Sequence, residues 1–105
     1  MIRGDVYYYK FKEPNKSRPV LILTRTDVIS GLNTVTVSEI TTTIRGNNSE
    51  VWLDDSDGMS EECVVNLTNI QTVLKEKIRS YVTHLPDERM QEVFEAIKFA
   101  FDFDE

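Results

Sequence analysis

Arg18 directly precedes Pro19 at the start of a continuous apolar run, Pro19-Val20-Leu21-Ile22-Leu23-Thr24. A guanidinium held at the mouth of a rigid strand suits phosphate binding, because its fork of donors matches two phosphate oxygens at once. Taken alone, a surface arginine at a strand end is the commoner fate of this residue type. Thr41-Thr42-Thr43 close a second candidate strand. Alternation sets Thr41 and Thr43 on one face with Glu39, and Thr42 on the other. By themselves these threonines express no more than β-propensity. Glu13 and Glu39 are the carboxylates nearest in sequence to the arginine and the threonines.

Other chemistries are absent from the sequence. The one histidine, His84, cannot supply both acid and base in a paired-imidazole mechanism, and reads as a polar residue at a strand end. No Cys/His cluster has zinc spacing and no glycine-rich loop could cradle a phosphate, so neither a metal nor a cofactor is expected. Asp54, Asp55 and Asp57, followed by Gly58, resemble a fragment of a calcium loop, but Asn66 stands where the closing bidentate Glu belongs. A solvated acidic turn is the better reading. Cys63, beside Glu62, reads as a buried structural thiol.

The elements that must position these residues belong to one domain. At 105 residues the chain can bury one modest core. It lacks the roughly 20-residue apolar stretch of a membrane span and any signal-peptide pattern. The single cysteine fits a reducing compartment, so a cytoplasmic protein is expected. The net charge of −6 is unevenly placed. Residues 1–53 carry seven Lys/Arg against five Asp/Glu, or +2, and residues 54–105 carry five against thirteen, or −8. The charge pattern therefore permits a basic face for a polyanion without requiring one.

Aromatic and β-branched residues in Gly4–Tyr9 predict a first strand, and Lys12–Ser17 a polar loop. The apolar run from Pro19 predicts a strand buried on both faces, and Thr34–Ser38 a half-buried one. Glu50–Leu53, Cys63–Val65, Ile70–Val73 and Arg79–Val82 follow as short strands. The period then changes: Met90, Val93, Phe94, Ile97 and Phe101 mark the apolar face of a helix over about 86–101, with Phe99 off the stripe as an ordinary exposed residue or a partner contact. Short strands over about 1–83 followed by one amphipathic helix predict a small barrel or strongly bent sheet with the helix packed on it.

The motifs also have a recognisable order. Arg3-Gly4-Asp5-Val6-Tyr7, Ser17-Arg18-Pro19-Val20-Leu21-Ile22, Val37-Ser38-Glu39-Ile40-Thr41 and the stretch Val64–Val73 resemble, in sequence and spacing, the MazF/PemK toxin family. The resemblance covers nearly the whole chain, 1–105, as a single toxin domain. It implies an SH3-like barrel with a terminal helix and a homodimer. It also implies a metal-independent endoribonuclease that cleaves single-stranded RNA at short preferred sequences and is held inactive by an antitoxin. Arg18 then matches the arginine that stabilises the phosphorane-like transition state, and Thr41, rather than Thr43, its hydroxyl partner. The family's first loop is shortened here to Lys12-Glu13-Pro14, where Glu13 alone matches. Asn66 and Thr68 replace an Arg-x-Asp pair, and Glu39 stands where relatives often have Pro or Ala.

On that resemblance, a ribose 2′-hydroxyl attacks the adjacent phosphorus to leave a 2′,3′-cyclic phosphate and a 5′-hydroxyl. Arg18 supplies the cation and Thr41 orients the reacting group. Glu13 is favoured over Glu39 as general base, since a guanidinium barely deprotonates. Lys12, Lys16 and Ser17 are expected to grip backbone phosphates, with Thr43 and Asn69 as further RNA-binding candidates. Tyr8 or Tyr9 is a candidate to stack a base, and the run Asp54–Glu62 should lie away from the RNA or repel wrong substrates. The rival of the same fold is a non-catalytic gyrase poison like CcdB. Those proteins depend on a C-terminal tryptophan tail, whereas here the one tryptophan is Trp52.

Overall fold

The computed structural model describes residues 1–11 and 17–102. Six strands, β1 (Asp5–Lys10), β2 (Ser17–Ile22), β3 (Thr34–Thr41), β4 (Glu50–Leu53), β5 (Cys63–Leu74) and β6 (Ile78–His84), form one sheet. All their pairings are antiparallel, in the order β4-β5-β3-β2-β1-β6. The sheet is not closed by hydrogen bonds into a true barrel, since β4 and β6 remain its two edges. A short helix, α1 (Thr26–Ile29), joins β2 to β3, and α2 (Asp87–Ala100) follows β6. No helix among the described residues is long and apolar enough to cross a membrane.

The apolar run from Pro19 forms a strand buried on both faces, though it ends at Ile22. Leu21 joins Val6, Ile40, Val65 and Leu67 in one core beneath α2, while Val20 and Ile22 join Ile29, Val35, Val37 and Val73 in another. A sheet with apolar residues on both sides needs a cover on both, and α1 supplies Ile29 to the second core. Sequence periodicity over four residues is too short to reveal such a helix.

Two expected strands, Cys63–Val65 and Ile70–Val73, are the ends of the single strand β5. Its pairing with β3 slips between them: Ser38 faces Ile70 but Glu39 faces Asn66, so Leu67, Thr68 and Asn69 stand outside the ladder. Leu67 sinks fully into the core and its N–H donates to the Ser49 carbonyl oxygen at 2.9 Å. Asn66 Oδ1 accepts from the Thr68 N–H and hydroxyl, closing a side-chain turn. The bulge breaks the alternation that would have announced one long strand.

The face of α2 also differs from the expected stripe. Met90, Val93 and Ala96 are buried and Ile97 partly so, whereas Phe94 and Phe101 are exposed. The small Ala96 takes a core-facing position, and the two phenylalanines lie outside that face. Phe94 lies under the Arg3 guanidinium, 5.7 Å from its carbon to the ring centre. Burying Met90 and Val93 contributes about 1.5–3 kcal/mol each.

The acidic turn is not simply solvated. Asp54 caps a 3-10 turn over Asp55–Asp57 by accepting from the Ser56 N–H, while Asp57 accepts in return from the Asp54 N–H. Asp57 is buried, and both of its oxygens lie 3.1 Å from Nε of Arg89 on α2. Arg89 also covers the Trp52 ring and reaches Glu92. This pair pins the helix to the turn. Asp57→Ala is expected to lower stability by about 2–3 kcal/mol, because it strips a partly buried guanidinium of its main partner. Urea unfolding should show a lower midpoint with an unchanged slope.

Candidate active site

β2 and β3 bring the candidate catalytic residues together. Val20 pairs with Glu39 in an antiparallel ladder, and continuing that register by two residues sets Arg18 opposite Thr41. By alternation both residues follow the Val20–Glu39 pair on the same face, toward the end of the two strands. Polar side chains can stand there at the edge of the core without being sealed in it. Arg18 Nη1 donates to Glu39 Oε1, and Glu39 Oε2 accepts from the Asn69 side-chain amide. The Glu39 side chain is only 12% exposed, against 38% for that of Arg18. A carboxylate so enclosed needs charged or hydrogen-bonding partners, and these two supply both of its oxygens. Asn69 reaches it because the β5 bulge swings residues 67–69 out of register.

Arg18 and Thr41 line a cavity of about 640 Å³. Ser17, Thr42, Thr43 and the segment Gly58–Glu61 share that lining, and Tyr8, Pro19, Ile40, Cys63 and Val82 add mainly apolar surface. The acidic run therefore does not lie wholly away from the arginine, because its last part borders the same cavity. Local capping chemistry and the Asp57–Arg89 pair fold it back there, and neither shows in net charge. The alternation expected through Thr43 also fails. β3 ends at Thr41 and the chain bends at Thr42, so the Thr43 N–H donates to Thr41 Oγ1 at 3.1 Å.

Of the aromatic candidates, Tyr8 faces the cavity, while Tyr9 packs edge-on against Phe11 beside the second core. Lys12, Glu13 and Lys16 lie outside the described residues. Asn69 is engaged with Glu39 and does not line the cavity. What the sequence reading missed was the Asn69–Glu39–Arg18 chain, since nothing local announces the bulge. His84 stands at the end of β6, with Nδ1 2.9 Å from the buried Asp5 carboxylate and no place in the cavity. Among the described residues, no group of three or more His, Cys, Asp or Glu could hold a metal ion.

An arginine and a threonine hydroxyl thus line one cavity beside the sheet. Residues 2–101 match the family described as "PemK-like, MazF-like toxin of type II toxin-antitoxin system". The chain belongs to this family. It is 41% identical over 90 residues to "Endoribonuclease MazF3" of Mycobacterium tuberculosis, covering 86% of this chain and 87% of that protein. It is 31% identical to "Endoribonuclease EndoA" of Bacillus subtilis, covering 93% and 91%. The solved structure of "Mycobacterium tuberculosis toxin MazF-mt6" superposes with a TM-score of 0.87 at 37% identity, covering 96% of this chain and 99% of that one. The fold is thus that of the MazF toxins: an antiparallel sheet of SH3-like type with a C-terminal helix.

In this MazF-family site Cys63 is a wall and not a reagent. Burial, and then the charges of Glu61, Asp57, Asp54 and Glu62, push its thiol up from 9.0 to about 11. The folded protein therefore holds the thiol proton more tightly than the unfolded chain. The resulting stabilisation is complete below pH 9 and is lost as pH rises through about 11. Native Cys63 is expected to resist iodoacetamide at pH 8 and to react at the normal thiol rate in urea. Fast labelling of the folded protein at pH 8 would contradict this.

Proposed function

We propose that this chain is the RNA-cleaving toxin of a type II toxin–antitoxin pair. In this reading it acts in the cytoplasm as a homodimer on single-stranded RNA and is silenced by a cognate antitoxin. The observation that supports the reading most is the meeting of Arg18 and Thr41 at one cavity, within a chain of the MazF family. RNA carries its own nucleophile. The 2′-oxygen forms a bond to phosphorus, the bond to the 5′-oxygen breaks, and the products are a 2′,3′-cyclic phosphate and a 5′-hydroxyl. The 2′-hydroxyl proton leaves to a base and the departing 5′-oxygen gains one, so no metal or cofactor is required. Arg18 faces the charge that develops on the non-bridging oxygens, and Thr41 hydrogen-bonds one of them. Ser17 and Thr43, with Lys12 and Lys16, hold the flanking backbone.

Glu39 is better suited to holding Arg18 than to taking a proton, because its two oxygens already receive Arg18 and Asn69. Glu13 remains the proposed base. An arginine held in advance loses less freedom when the transition state forms, which is the advantage of a fixed donor over a mobile one.

Purified protein incubated with a long RNA in EDTA should cut it and leave 2′,3′-cyclic phosphate and 5′-hydroxyl ends. Arg18→Ala should lower kcat by about a hundred- to a thousandfold. Cutting abolished by EDTA, full activity in the Arg18 variant, or inhibition of DNA gyrase without any RNA cleavage would each overturn the reading. The division of labour between the carboxylates has its own test in pH–rate profiles. Glu39→Gln should lower kcat and leave the acidic limb of the profile in place, whereas Glu13→Gln should remove that limb.

A further inference from the structure

The cavity that Arg18 and Thr41 line also carries a carboxylate with no partner inside the fold. Glu61 borders the cavity and is exposed, and it makes no hydrogen bond or ion pair among the described residues. Of the other acids in the run, Asp54 is committed to the Ser56 N–H and hydroxyl and Asp57 to Arg89, while Asp55 and Glu62 do not line the cavity. The short span that presents Glu61 is fixed at both ends. Met59 and Cys63 are buried in the core, and Cys63 pairs with Leu53 of β4. Just before it, Gly58 sits at φ +91, where an added Cβ would lie 2.3 Å from Thr83 Oγ1. A glycine is required at that position, and the close approach to β6 sets the path of the chain.

The cavity is therefore polarised. Its lining combines Arg18, held by Glu39, and the hydroxyls of Ser17, Thr41, Thr42 and Thr43 with an unpaired anion, Glu61, and Tyr8, Met59 and Val82 add apolar surface. A volume of about 640 Å³ lies within the range of small-ligand sites. The backbone of an RNA strand is drawn to the Arg18 side and repelled from the Glu61 side, which turns a base toward Glu61. We propose that this cavity receives one nucleobase beside the scissile phosphate, that Tyr8 packs against it, and that Glu61 makes guanine the preferred base.

The selectivity follows from the edges of the bases. A carboxylate only accepts. Guanine alone presents two adjacent donors, N1–H and the N2 amino group, which match the two carboxylate oxygens. Cytosine and adenine set one amino donor beside an acceptor nitrogen, and uracil sets one donor between two carbonyls. Each of those three brings a lone pair against the carboxylate. A matched pair of hydrogen bonds discriminates by about tenfold or more.

This inference rests on the reading of the chain as an RNA-binding enzyme, but its test does not require cleavage. Labelled 2′-O-methyl hexauridine, which cannot be cut, is compared with versions carrying one central guanine, inosine, cytosine or adenine, using fluorescence anisotropy. The guanine probe should bind about tenfold more tightly than the others, inosine included, since inosine lacks the N2 amino donor. In Glu61→Ala that advantage should vanish. In Glu61→Gln it should move toward adenine or cytosine, because an amide offers one donor and one acceptor. Glu61 is exposed and unpaired, so both variants should keep the wild-type unfolding midpoint. Equal binding of all probes by the wild type, or a guanine preference that survives in Glu61→Ala, would overturn the proposal. If the guanine preference is found but a long RNA stays intact, the base site stands and the cleavage reading falls.

Discussion

The site is organised around one enclosed carboxylate. Glu39 lies on the second-core face of β3, two residues beyond Val37, where the sheet is still largely closed to water. A charge in that position is costly unless donors meet it, and removing a donor costs more than the pair contributes when intact. Two donors are present, and each fixes something else. Arg18 is drawn in from β2, which settles where its guanidinium stands relative to Thr41. Asn69 is drawn in from β5, which requires the chain there to leave the ladder. An apolar residue in place of Glu39 would remove the cost of burial, but it would leave the arginine free to turn toward solvent.

The bulge in β5 serves both core and site. Three extra residues opposite the Ser38–Glu39 step let Leu67 enter the core beneath α2 while Asn69 turns to Glu39. The Ser38 hydroxyl donates to the Asn66 carbonyl oxygen at 2.7 Å, satisfying a backbone group that the lost ladder would have left unpaired. The irregularity is thus paid for locally, and the strand resumes its register at Ile70. Bulges concentrate beside functional sites because they re-aim a side chain without displacing the rest of the sheet.

The legible parts of this molecule were those set by period. Continuous apolarity identified β2, alternation identified β3, and the change to helical spacing after Pro86 identified α2. What escaped was decided by contacts between residues far apart in the chain. Asp57 and Arg89 are 32 positions apart, and composition alone placed Asp57 in water. Its local cue was readable: Asp54 and Asp57 sit at capping-box spacing just before Gly58. The helix face was misjudged because hydrophobicity ranks Phe94 above Ala96, whereas close packing against the sheet favours the smaller residue. At the site, the motif order selected Arg18 and Thr41, but Glu39 could be weighed only as a possible base. Its two hydrogen bonds depend on the bulge, which breaks the very alternation by which strands are read.

The acidic character of the chain has a spatial explanation that net charge conceals. Carboxylates close to the arginine are not equivalent. Glu39 is paired with Arg18 and hydrogen-bonded by Asn69, Asp57 is paired with Arg89, and Asp54 caps the 3-10 turn. Asp57 and Asp54 still add to the negative field at Cys63 in the cavity wall, but their oxygens are committed to partners within the fold. Glu61 has no such partner among the described residues and lines the cavity as an exposed carboxylate. The cavity thus holds an arginine already paired with Glu39 and a carboxylate without a partner among the described residues. On the reading proposed above, that asymmetry would orient a bound strand, and it is how an acidic protein can carry a site for a polyanion.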